Sequence, residues 1–426
     1  MKTLFKNCYV LTGHEVKFTN LLVDGEIISY IGDDEVAYDS VRNMHGVLLM
    51  PGLVNAHAHG PMTLLRGVGS GLKLKDWLNK AIFPIEAKMT PDDIKAGQDW
   101  AIIEMLTTGM TMTAEMYDFP WELGESLLKS GMKASICRVG LSFSDQEEIP
   151  PNRFAECVEL VEKFNDPSGK VVADFCLHSE YLTNETIVQK IADANKKYHR
   201  NVHVHVSETK EETEECKLRH GGLTPIQYFN KIGLLDNNVF AAHCVWVNDE
   251  DLAIMKEKNV SIVHNPTSNM KLGSGFAPIR KAMAMGVNVA LGTDGVASNN
   301  NLNIFKEMNL ASIIHNGHRL DAQSIYPHQV IDMATINGAK AMGRLDTGVL
   351  EVGKKADIIA VSLDGPHMYP ALDILSLLCY SVQASDVKMT MVDGKILYDN
   401  GEYTTMDYDK AKFELGKRVD RLFDER

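Results

Sequence analysis

Two histidines one residue apart, His57 and His59 in VNAHAHG, open the chemistry of this chain. In an extended segment side chains alternate, so both imidazoles fall on one face and can reach one ion. Two further ligand types follow much later, His205 in HVHVSE and Asp294 in LGTDG. Three imidazoles and one carboxylate suit Zn²⁺, or Fe²⁺ in a similar field. An open position on such an ion would hold a water whose pKa falls toward neutrality. Glu208 stands three residues after His205, and His243 closes the segment NVFAAH. A carboxyl group and an imidazole beside an activated water are the parts needed to move protons during a hydrolysis.

Other residues carry rival readings. His203 alternates with His205 and reads either as a core histidine or as a group behind the ligands. His264 in HNPTSNMKL reads equally well as a residue that holds a turn. His178-Ser179-Glu180 matches half of a nucleotide-deaminase HxE motif, but no PCxxC follows it. GVGSGL (67–72) is neither a dinucleotide fingerprint nor a phosphate loop, and reads as a mobile loop.

The elements that must position these residues can be read from the same chain. Apolar, β-branched runs lie at 48–57, 111–116, 133–139, 171–178, 201–208, 238–244, 261–266 and 288–294. Segments of helical period, such as PDDIKAGQDWAIIEMLTTG and NDEDLAIMKEKN, separate most of them. Eight strands alternating with helices predict an α/β fold, a (β/α)8 TIM-like barrel. His57, His59, His178, His205, His243 and Asp294 all fall at or near the C-terminal end of a run, where such barrels keep their chemistry. The two ends of the chain resemble each other, with strand pairs around Asp24-Gly25 and Asp393-Gly394. They predict a small β-sandwich domain built from both termini, residues 1–50 with 346–426, closed by a surface helix. The catalytic barrel would then span 51–345.

Composition limits the alternatives. The 426 residues are 45% hydrophobic and 23% charged, as in an ordinary globular protein. With 57 acidic and 43 basic residues the net charge is -14, which argues against a nucleic-acid partner. No apolar run spans a bilayer and the N-terminus is broken by polar residues, so the expectation is a cytoplasmic protein with no membrane partner. Seven scattered cysteines without a CxxC pair read as reduced, mostly buried thiols.

PGLVNAHAHGPMTLLRG, HVSE, AAHC, HNPTSNMKLG and LGTDGVASNNNLN together resemble the amidohydrolase superfamily. PMTLLRG, the region of Trp77 and Glu86, and the SNNN run narrow the resemblance to the methylthioadenosine/S-adenosylhomocysteine deaminase family. That resemblance covers essentially the whole chain. It implies one divalent metal per chain, usually zinc, held by His57, His59, His205 and Asp294. The fourth strand ends in His178, so the bridging lysine of binuclear relatives has no counterpart. It further implies hydrolytic removal of an amino group from an adenine nucleoside, with His243 and Asp294 taking the water proton and Glu208 protonating the ring nitrogen. The substrates implied are 5′-methylthioadenosine, S-adenosylhomocysteine, adenosine or 5′-deoxyadenosine, and the assembly implied is a homo-oligomer. Glu86 would bind ribose hydroxyls, His178 would touch the sugar, Trp77 would pack on the nucleoside, and Arg138 and Arg153 would receive a substrate carboxylate. Two segments depart from the family wording and bear on the 5′-substituent: Glu180 replaces a usual proline, and MTMTAEMYDF rewrites the second strand. A deaminase or chlorohydrolase of a free heterocycle (guanine-like, pterin or s-triazine) is the alternative on the same ligands. A barrel that kept its fold and lost its chemistry is the third, and the intact ligand set opposes it.

Overall fold

A computed structural model describes residues 1–142, 152–166 and 169–423. Eight buried strand positions follow one another with helices between them. They are β1 (Leu53–Ala58), β2 (Met110–Tyr117), β3 (Lys133–Arg138), β4, β5 (Val202–Val206), β6 (Val239–His243), β7 (Ser261–His264) and β8 (Val289–Leu291). β4 comes in two pieces, Val171–Ala173 and Phe175–Leu177. Asp174 interrupts it, its carboxylate accepting from Ser135 Oγ at 2.5 Å and from Asn201 at 3.0–3.1 Å.

All neighbouring strands pair in parallel. The bridges Gly140–Leu177 and Ala58–Asp294 join the two half-sheets and close the barrel. The ring therefore closes beside His57 and His59, which brings the first and last strands together at the site. Leu53, Leu106, Phe175, Val204, Phe229 and Leu291 belong to one buried core that ties strands to helices.

Local signals explain the helices. Thr90 caps Pro91–Thr107 with Asp93 answering from the third position, and Pro91 opens the helix where no amide hydrogen is needed. Asn248 caps Asp249–Glu257, its side chain accepting from the amides of Glu250 and Asp251.

Strands from both termini share one nine-stranded sheet. Val47–Pro51 runs antiparallel to Ile358–Ser362 and is the seam between the two ends of the chain. The later hairpin turns at Asp393-Gly394, both in the left-handed region (φ 46° and 70°) that a two-residue primed turn requires. The earlier hairpin turns one residue later than its sequence signal, through Gly25-Glu26, because Asp24 pairs with Ile27. Tyr408–Phe423 forms the closing helix and docks on Pro91–Thr107 through Arg418–Asp92 and Arg421–Asp93. All seven cysteines are buried and unpaired, as expected of reduced thiols.

A buried ion cluster fastens the terminal sheet to the barrel. Lys133 Nζ lies 2.6 Å from Asp357 Oδ2 and 2.8 Å from Asp393 Oδ1, and its side chain is 4% exposed. Lys133→Met removes the shared cation and leaves two buried carboxylates facing each other. The expected loss is about 3–5 kcal/mol of stability, the cost of breaking a buried pair. It should be visible in denaturant titration. A loss below about 1 kcal/mol would mean that water replaces the lysine at no cost.

Candidate active site

Each imidazole of the ligand set is oriented from behind. His59 Nδ1 donates to the Met116 carbonyl at 2.5 Å, and His205 Nδ1 donates to the His178 carbonyl at 2.6 Å. A carbonyl only accepts, so in both rings Nδ1 carries a proton and Nε2 is the atom left facing the site. His57 Nδ1 meets His203 Nε2 at 2.8 Å, which places His203 behind the ligands. His57 Nε2 is buried and has no hydrogen-bond partner.

The Nε2 atoms converge. His59 Nε2 is 3.4 Å from His205 Nε2, and Asp294 Oδ1 lies 3.3 Å from His57 Nε2 and 3.1 Å from His59 Nε2. Asp294 Oδ2 accepts from Ser268 and Ser298 at 2.5 and 2.8 Å, which turns Oδ1 toward the histidines. Burial lowers His57 to about 4, the facing Asp294 notwithstanding, so the ring is neutral and its lone pair is available. Imidazole Nε2 atoms held at such distances around a carboxylate fit a divalent cation, and His57 Nε2 is buried without a hydrogen-bond partner.

His243 and Glu208, expected to move protons, sit beside them. His243 Nε2 is 3.7 Å from Glu208 Oε2, while His243 Nδ1 donates to Asn269 Oδ1 at 2.8 Å. Asn269 thereby keeps Nε2 free to accept a proton. Burial pushes the Glu208 carboxyl up, which favours the protonated form a general acid needs. Glu212 fixes its backbone, accepting from the amides of Ser207 and Glu208 at 2.8 and 2.7 Å. His243 (φ 73°) and Asp294 (φ 61°) both occupy the left-handed region, which costs a non-glycine residue of order 1–3 kcal/mol. Strain collected at two strand ends marks a working site rather than a packing feature. At Gly292 a Cβ would come within 2.8 Å of His57 Cβ and 2.5 Å of Asn265 Oδ1, so only glycine lets β8 approach β1.

A cavity of about 890 Å³, open mouth included, rises above these groups. Trp77, Glu86 and His178 line it together with His59, His205, Glu208, His243 and Asp294. Trp77 and Glu86 come from the helical segment 74–86, whose π-helical turn Trp77–Ile82 swings the indole inward. The indole Nε1 is buried without a partner. Glu86 Oε1 accepts from Tyr117 Oη at 2.5 Å.

Sequence reasoning did not single out several working residues. Asn269, Ser268, Ser298, Glu212 and Tyr117 were absent from it, and His203 was left open. HNPTSN carried the signal: His264 instead pairs with His315 at 3.1 Å, while Ser268 and Asn269 of that segment hold Asp294 and His243. Glu180 lies off the cavity, gripped by Arg219 and His220.

Arg138 and Arg153, expected to receive a substrate carboxylate, are both paired with an acid. Both bond Asp118 Oδ1, at 2.6 and 2.7 Å, and Arg138 Nε also bonds Glu156 at 2.6 Å. Among the described residues Asp118 lines the cavity and neither arginine does.

The profile of the amidohydrolase family matches residues 48–397. The chain is 39% identical to a 5-methylthioadenosine/S-adenosylhomocysteine deaminase of Caldanaerobacter subterraneus subsp. tengcongensis, over 99% of each chain. It is also 39% identical to a 5′-deoxyadenosine deaminase of Methanosarcina mazei, over 98% of each chain. Among solved structures it resembles an adenosine deaminase from Xanthomonas campestris with bound zinc, with a TM-score of 0.94 and 30% identity over 99% of this chain and 98% of that one.

Proposed function

The chain belongs to the amidohydrolase family, and on that premise we propose that it hydrolyses the amino group of an adenine nucleoside, giving the inosine analogue and ammonia. The observation that carries this reading is the pair His243 and Glu208, facing each other at 3.7 Å beside the converged ligand set. The names of the deaminases to which the chain is 39% identical support the adenine nucleoside as substrate class.

His57, His59, His205 and Asp294 would hold one divalent ion, and zinc suits three neutral imidazoles and a carboxylate. When bound, the ion supplies a Lewis acid that lowers the pKa of water toward neutrality. The remaining tasks fall to the chain. His243 Nε2, kept free by Asn269, takes a proton from the attacking water. Glu208, protonated in its buried setting, gives its proton to the ring nitrogen next to the amino-bearing carbon. As the carbon–nitrogen bond breaks, His243 returns its proton to the leaving amine. One water enters, one ammonia leaves, and Glu208 recovers its proton when the ring settles to the keto form.

Glu86 binds the ribose hydroxyls, His178 contacts the sugar, and Trp77 covers the nucleoside. The apolar wall of Leu74, Leu78, Phe83, Met89 and Leu141 favours a ligand with a large apolar face. Adenosine, 5′-deoxyadenosine, 5′-methylthioadenosine, adenine and guanine should be offered in parallel and ammonia release measured. Turnover of the nucleosides at least ~100-fold above the free bases is expected, since remote binding energy raises kcat/KM. A free base turned over as well as its nucleoside would move the assignment to the heterocycle hydrolases.

A further inference from the structure

One buried acid stands outside the cavity and takes no part in the hydrolysis. Glu307, in the first turn of the helix Ile304–Arg319, is fully buried and accepts three hydrogen bonds. Its Oε2 accepts from the Thr267 amide at 3.0 Å, and its Oε1 from Thr267 Oγ1 at 2.7 Å and Asn299 Nδ2 at 2.8 Å. Thr267 lies beyond β7, in the first turn of the short helix Pro266–Lys271, whose preceding residue Asn265 supplies no side-chain cap. The amides that open a helix lack partners, and a carboxylate beside them is favoured by hydrogen bonding and by the helix dipole. Glu307 supplies that cap from 40 positions away. Asn299 lies beyond β8, and its amide also donates to the Thr293 carbonyl at 2.7 Å.

The same two loops carry the groups that orient the site. Ser268 and Ser298, each next in sequence to a partner of Glu307, both donate to Asp294 Oδ2, and Asn269 accepts from His243 Nδ1. We propose that Glu307 is a positioning residue: by tying the two loops together it sets both the orientation of Asp294 toward the cation and the readiness of His243 to accept a proton. The inference rests on the reading of Asp294 as a ligand and His243 as the base. The tie requires a carboxylate. An amide whose oxygen stays at the Oε1 position turns its NH₂ toward the Thr267 amide, and a flipped one turns it toward Asn299 Nδ2. Either way a donor faces a donor, and the loop that carries it must move away. Lys271 Nζ also crosses between the loops, to the Ala297 carbonyl and to Asn299's neighbour Asn300, so loss of the Glu307 tie should shift them rather than unfold them.

Glu307→Gln should bind Zn²⁺ at least ~10-fold more weakly in chelator competition, the scale of losing a group that orients a ligand. Saturated with metal, it should also lose at least ~10-fold in kcat with KM little changed, as misplaced reacting groups do. Thr267→Val removes one of the three bonds and keeps the backbone amide, so it should shift zinc affinity and kcat the same way by smaller factors. It decides the matter if Glu307→Gln does not fold. An acid that only holds the fold would lower the melting temperature and leave zinc affinity and the kcat of the loaded enzyme at native values. That result in folded Glu307→Gln, or in Thr267→Val where the first variant does not fold, overturns the proposal. A loss in only one of the two quantities overturns it as well, since one tie is held to set both. Native protein that takes up no zinc would overturn the ligand reading itself, a distinct outcome.

Discussion

Glu208→Gln should bind metal as the native protein does and lose turnover by at least ~100-fold, the scale of a general acid–base group. Glutamine keeps the shape and still accepts from Ser274, which lies 3.4 Å from Glu208 Oε1. Its amide cannot release a proton to the ring nitrogen. Glu208 is buried, and its raised carboxyl holds the proton to higher pH than an ordinary glutamate would. Elemental analysis and circular dichroism should therefore match the native protein while kcat collapses. Near-normal kcat in a metal-replete variant would move the acid role to another group. His243→Asn should fall comparably, since its Nε2 is the acceptor that Asn269 keeps available.

Metal removal should have the larger effect. About one equivalent per chain is expected, and complete chelation should take deamination to the detection limit, with Zn²⁺ restoring it. The physical reason is visible without the ion: His59 and His205 point Nε2 atoms at each other across 3.4 Å, and His57 Nε2 is buried without a partner. Ring nitrogens gathered this closely around a buried carboxylate suit a shared cation. Binding to the native state alone should also raise thermal stability, by about 2.7 kcal/mol at a free metal concentration 100 times Kd. Activity that survives full removal would sink the assignment, and an unshifted melting midpoint would show that the four groups do not share an ion.

Much of this was legible in the chain because it repeats at short period. Alternation along a strand put His57 and His59 on one face, and the eight apolar runs marked where strands end. The runs ending in His178, His205 and His243 end in the structure at the same mouth, and Asp294 joins them by pairing with Ala58.

What stayed hidden depends on contacts between distant segments. His203 gained its place only when β5 folded against β1 and brought its ring 2.8 Å from His57, 146 positions away. Asn269 and Ser268 reach two different strand ends, His243 and Asp294, from one short helix, Pro266–Lys271. No spacing rule encodes that, since a side chain's partner across a barrel is set by register and closure. The arginines show the same limit in electrostatics. Residue type alone supplied two cations, and folding pairs both with Asp118. The barrel, the candidate ligands and the candidate proton carriers could be read from the chain, because periodicity and residue chemistry are local properties. Which acid the two arginines bond, Asp118, follows from folding, because neutralisation of a buried charge depends on which groups the fold brings within hydrogen-bond distance.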